Sequence, residues 1–110
     1  MTTVVNIKDV KPLKQEGRDI YWLLGPKTSC TSGCSMALGC YTADEFVLTG
    51  AHSDQEGFYV LEGRGYAQIG EEVIRLQPGD AFLVRPGLAH AIKKDRDCEC
   101  VKALFFHAAV

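Results

Sequence analysis

A chain of 110 residues has room for one hydrophobic core and not for a second of useful size. With 46% hydrophobic residues, 24% charged residues and a net charge of −2, it is neither disordered nor polyionic, and it offers nucleic acid no basic footprint. No apolar run reaches the roughly 18 residues of a membrane span, and Met1-Thr2-Thr3-Val4-Val5-Asn6 lacks the basic, apolar, small-residue order of a secretion signal, so a cytoplasmic protein without a membrane partner is expected.

In chain order, residues 10–16 are compatible with one helical turn, and residues 20–24 read as a first strand closed by the turn-prone Gly25-Pro26. Residues 28–33, rich in Ser, Thr and Gly, read as a loop. A second strand over 35–42 is followed by a polar break at Asp44-Glu45 and a short run, Phe46-Val47-Leu48. Phe58-Tyr59-Val60-Leu61 is a β-rich run ended by Glu62-Gly63-Arg64-Gly65, whose glycines can adopt turn conformations closed to other residues. Residues 66–69 and 73–76 flank Gly70-Glu71-Glu72 as a hairpin, and Gln77-Pro78-Gly79-Asp80 forms a tight turn. Strands over 81–84, 90–93 and 101–107 complete the chain, the last after the polar bend 94–97. Eight or nine short strands with no sustained helical stripe predict an all-β domain whose sheet closes or stacks to protect its edges.

Two segments resemble the paired motifs of the cupin superfamily. The first is Gly50-Ala51-His52-Ser53-Asp54-Gln55-Glu56, continued by Gly57-Phe58-Tyr59-Val60-Leu61-Glu62-Gly63. The second runs from Gly79 through Val84 to Arg85-Pro86-Gly87-Leu88-Ala89-His90. The resemblance implies a single jelly-roll-like antiparallel β-barrel over 1–110, with motif 1 at about 50–65 and motif 2 at about 79–94. It also implies a metal site inside, held by His52, Glu56 and His90. Two departures stand out. Gly50 occupies the place of the first histidine of the His-any-His pair, and the proline of the second motif comes one place late. Two imidazoles and one carboxylate remain.

Alternation gives Gly50, His52, Glu56, Phe58 and Val60 one parity, so an extended segment turns them to the same face. A buried carboxylate needs a compensating cation or hydrogen bonds. A divalent metal supplies that charge, and His90 from a distant strand completes a three-point attachment. Two histidines and one carboxylate resemble the facial arrangement of non-haem iron sites, and the same ligand types suit Fe, Mn, Ni, Co or Zn. Three functional readings follow. The first is a metal-dependent oxygenase, isomerase or lyase acting on a small organic molecule. The second is a non-catalytic module in which His52, Glu56 and His90 bind a small ligand without metal. In the third the barrel serves mainly as an assembly unit, since cupins of this size resemble proteins that form homodimers through N-terminal strands.

The five cysteines, Cys30, Cys34, Cys40, Cys98 and Cys100, are odd in number and read as reduced thiols. Cys30, Cys34, Cys98 and Cys100 can be drawn as a zinc site, although neither pair has the Cys-two-residue-Cys spacing, and burial as small hydrophobes is the plainer role. Cys40, just ahead of the first motif, reads as packing. His107 shares parity with Ala103 and Phe105; it is a base standing behind the metal ligands if that face looks inward and a surface or interface residue otherwise. Phe58, Phe82 and Phe105 serve as core or as pocket wall, and Lys93-Lys94 with Asp95 to Asp97 reads as a solvated turn.

Overall fold

Alternating burial along short β-rich runs sets the architecture. The computed structural model describes residues 2–28 and 32–110. Its strands are β1 (Leu13–Gln15), β2 (Arg18–Leu24), β3 (Cys34–Tyr41), β4 (Gln55–Glu62), β5 (Gly65–Ile69), β6 (Glu72–Leu76), β7 (Ala81–Val84), β8 (His90–Lys94) and β9 (Val101–Ala108). They build a six-stranded sheet in the order β1-β2-β3-β9-β4-β7 and a three-stranded sheet in the order β6-β5-β8. Every pairing is antiparallel. The expected all-β, jelly-roll-like fold is therefore present, as two sheets packed face to face. One isolated bridge, Thr49 to His90, ties the segment before β4 to β8 of the smaller sheet.

The core lies between the sheets. Phe58, Val60, Ala103 and Phe105 of the larger sheet meet Ala67, Leu76 and Ile92 of the smaller one. Along β4, Glu56, Phe58 and Val60 are buried while Tyr59 and Leu61 are exposed, and Gly57 is buried as well. The chain passes from one sheet to the other at Gly63, where φ is +82° and an added Cβ would lie 2.0 Å from the Cys100 carbonyl oxygen. Only glycine fits there.

Several expectations need correction. Residues 10–16 form no helical turn. A 3-10 turn lies earlier, at Ile7–Asp9, and Leu13–Gln15 is a strand. Leu13, Lys14 and Gln15 are competent helix formers, but pairing with Ile20, Asp19 and Arg18 of β2 overrides that propensity. The short run Phe46-Val47-Leu48 joins no strand ladder, and only the bridge at Thr49 follows it. Lys93 and Lys94 belong to β8 rather than to a solvated turn: the Lys94 side chain is 14% exposed and paired with Asp44, and Lys93 lies over the rings of Phe46 and Tyr66. No helix among the described residues is long and apolar enough to cross a membrane.

Candidate metal centre

His52 precedes β4, so its direction is set by the loop rather than by strand parity. Two backbone bonds hold that loop against the second motif: the Gly87 N–H donates to the His52 carbonyl at 2.9 Å, and the Thr49 N–H to the His90 carbonyl at 3.0 Å. The Thr49 hydroxyl reinforces the second contact at 2.9 Å. Gly87 sits at φ +84°, which lets the Pro86-Gly87 turn present its N–H to the loop. The two motifs, far apart along the chain, are thereby joined at the two histidines.

The predicted residues converge. Glu56 is 4% exposed, and its Oε1 lies 3.0 Å from His52 Nε2 and 3.1 Å from His90 Nε2. One oxygen of Glu56 and one ring nitrogen each of His52 and His90 lie within 4.8 Å of one another, close enough to share an ion. Ligands about 2.1 Å from a common ion stand about 3.0 Å apart at a right angle and about 3.4 Å apart at the tetrahedral angle, so these separations fit a first-row divalent ion.

A histidine from the last strand also reaches the cluster. His107 is paired in register with Glu56 across β4 and β9. Its Nε2 lies 3.6 Å from Glu56 Oε1, and its Nδ1 is hydrogen-bonded to Asp54 Oδ2 at 3.1 Å. The Ala103, Phe105, His107 parity does look inward, so His107 is neither a surface residue nor remote from the carboxylate. What the sequence lacked was the register that sets His107 opposite Glu56. Asp54, unremarked in the sequence, touches His52 Nδ1 with its other oxygen, and neither of those two buried atoms has a hydrogen-bond partner of good geometry.

Electrostatics bind the cluster together. Burial disfavours the charged His90 ring, but the hydrogen bond and charge of Glu56 outweigh it and raise the His90 pKa. Burial likewise acts to raise the Asp54 pKa, and the contacts with His107 and His52 reverse this, leaving it lowered. Tyr41 is pushed upward by burial first and by the Glu56 charge second.

The cluster opens on a cavity of about 190 Å³ whose apolar wall includes Ile20, Trp22, Phe58 and Phe105, and which Arg18 also lines. This is smaller than a typical drug-sized site of about 300–1,000 Å³ and suits a molecule of few heavy atoms. Phe58 and Phe105 thus serve both core and wall, whereas Phe82 stacks on Phe58 at 4.7 Å behind them. Cys40 does not line the cavity. Cys30 lies outside the described residues, and among the described residues no metal-competent group contains a cysteine, so the four-thiolate arrangement gains no support.

Residues 44–104 match the family described as cupin domain. No protein of curated function matches the sequence. The fold superposes on Fe(II) HppE in complex with substrate, with a TM-score of 0.83 and 16% identity over 94% of this chain and 59% of that one. It superposes on hydroxypropylphosphonic acid epoxidase from S. wedmorenis in complex with fosfomycin, with a TM-score of 0.82 and 16% identity over 94% of this chain and 58% of that one. A predicted oxalate decarboxylase from Thermotoga maritima gives a TM-score of 0.81 at 16% identity, covering 97% of this chain and 99% of that chain. The chain spans less than two thirds of the first two structures, and at this identity the likeness is one of fold.

Proposed function

The chain belongs to the cupin family, and from that premise we propose that it is a metal-dependent enzyme of small organic molecules, with His52, Glu56 and His90 holding one divalent transition metal ion. The carrying observation is the convergence of two imidazole Nε2 atoms on one oxygen of a carboxylate that is 4% exposed. A buried carboxylate is costly unless a cation or hydrogen bonds compensate its charge, and an ion held between Glu56 and the two rings would do so.

A bound ion supplies Lewis acidity toward a substrate oxygen. The chain's own residues do the rest. Glu56 and the histidines fix the polar end of the cavity, while Trp22 and Phe105 give it an apolar side that limits water. Arg18 is the lining side chain with a permanent positive charge, so it pairs with a carboxylate or other anionic group on the molecule bound. This favours a small organic acid as substrate, in an oxygenase, isomerase or lyase reaction.

One observation favours a second reading, a metal-free module that binds a small ligand: His52 Nε2 and His90 Nε2 lie within hydrogen-bond distance of Glu56 Oε1, and hydrogen bonds can compensate a buried carboxylate without an ion. Metal analysis separates the two. The proposal predicts one transition metal ion per chain, lost in His52→Ala, Glu56→Ala and His90→Ala proteins that remain folded. Folded wild-type protein that holds no Fe, Mn, Ni, Co or Zn after exposure to each would leave the second reading.

The same proposal includes a homodimer. β1 is an edge strand of the larger sheet, all three of its residues are exposed, and Leu13 is half exposed. Such an edge offers unpaired backbone groups to a second copy.

A further inference from the structure

We infer that Arg18 and Tyr41, facing each other across β2 and β3, form a subsite that grips the carboxylate of a short hydroxy or oxo acid, and that Gly39 is the positioning residue that lets the Tyr41 hydroxyl enter it. This deepens the reading of the cavity as a small-organic-acid site, on which it rests, by naming the groups that select the acid. Arg18 and Tyr41 are cross-strand partners, and both line the cavity. Arg18, Gly39 and Tyr41 all precede the segment that matches the family, so nothing in that match assigns them a role.

A buried phenol ordinarily finds a hydrogen-bond partner. Tyr41 is 7% exposed and its ring belongs to the core cluster, yet its hydroxyl bonds no described residue. The sealed side-chain atoms without a partner are His52 Nδ1 and Asp54 Oδ1 among the described residues, so the Tyr41 oxygen is open to the cavity it lines. The ring reaches that place by doubling back along its own strand. A Cβ built on Gly39 would lie 2.6 Å from Tyr41 Cε2 and 2.8 Å from its hydroxyl oxygen. Any side chain at position 39 therefore turns the ring away. Burial first and the Glu56 charge second raise the Tyr41 pKa, with Arg18 opposing them, so the hydroxyl remains a donor.

Arg18 is aimed in the same way. Its Nε–H donates to Gln15 Oε1 at 2.8 Å, which anchors the guanidinium by its inner nitrogen and leaves both terminal nitrogens without a partner among the described residues. Two terminal N–H groups and one O–H match the two oxygens of a carboxylate. Glu16 lines the cavity too, but it is exposed, makes no ion pair with Arg18, and is screened by solvent. The remaining polar lining, that of His52, Glu56 and His90, is left for a second oxygen of the same ligand. A cavity of about 190 Å³ limits that ligand to a short chain.

The experiment titrates pyruvate and lactate, and their neutral amides pyruvamide and lactamide, into the full chain by calorimetry, in chelator-stripped and Co(II)-loaded forms. Preference for acid over amide is read in the stripped protein, where no ion can create it. Wild type should bind an acid about tenfold or more tighter than its amide, Arg18→Gln should erase that preference, and Tyr41→Phe should weaken acid binding about tenfold. Tyr41→Phe should not lower the melting temperature, since the hydroxyl bonds nothing in the fold. Gly39→Ala should weaken acid binding in wild type and add nothing in the Tyr41→Phe background, because both act through one hydroxyl. Wild type that binds neither acid, or binds acid and amide alike, would overturn the subsite, as would unchanged acid affinity in folded Arg18→Gln and Tyr41→Phe. Acid preference in a protein that takes up no transition metal would overturn the metal centre and support the subsite; a bound metal without that preference would do the reverse.

Discussion

Replacing Glu56 by Gln keeps the shape of the side chain and removes its charge, so it isolates what the buried carboxylate contributes. In wild type, an ion at 100 times its dissociation constant stabilises the fold by about 2.7 kcal/mol through mass action. A domain of this size gains about 4 °C in melting temperature per kcal/mol, which makes the shift about 11 °C. Glu56 Oε1 contacts the Nε2 atoms of His52, His90 and His107, so it is the donor common to the whole cluster. If losing it weakens binding about 100-fold, a difference of about 2.7 kcal/mol, the same ion concentration stabilises Glu56→Gln by about 0.4 kcal/mol, or about 2 °C. Melting curves followed by circular dichroism, on stripped protein with and without Co(II), read both shifts. An equal Co(II)-induced rise in the two proteins would refute the reasoning, because the ion would then bind elsewhere.

Other predictions concern the frame. Arg75 grips Asp95 through two contacts of 2.6 and 2.7 Å and, chiefly by that hydrogen bond, lowers the Asp95 pKa. A carboxyl lowered on folding adds stability above its unfolded pKa of about 3.9 and loses it as pH falls through the folded value. Asp95→Asn should therefore lower the melting temperature at pH 7 and leave it nearly unchanged near pH 2; an equal loss at both would remove the ion pair as the cause. Gly63→Ala sets a Cβ 2.0 Å from the Cys100 oxygen at φ +82° and should cost more than about 2 kcal/mol in urea unfolding, a result that a neutral substitution would contradict. Light scattering should give twice the chain mass for wild type and less for Leu13→Arg, whereas a wild-type monomer would rule out pairing through β1.

Much of this was legible because the local pattern and the final environment agree. Glu56, Phe58 and Val60 alternate with Tyr59 and Leu61 in sequence and in burial, and Gly63 and Gly87 mark the turns the chain takes. His52, Glu56 and His90 stood out through a motif whose spacing survives the loss at Gly50. What was hidden is non-local. Leu13–Gln15 becomes a strand only because β2 lies beside it, and Lys94 leaves solvent only because Asp44 meets it. His107 carries no motif; its partner Glu56 is fifty-one positions earlier, and only the β4–β9 register joins them. Asp54 sits inside the first motif as an ordinary polar loop residue until the fold brings two imidazoles to its two oxygens.

The central claim is that the carboxylate of Glu56 and the surrounding imidazoles hold an ion between the sheets. An anomalous difference map from crystals of the Co(II)-loaded protein tests it most directly. The account predicts one peak bounded by Glu56 Oε1 and Nε2 of His52 and His90. A map with no peak there, or with its only peak among surface carboxylates, would contradict it.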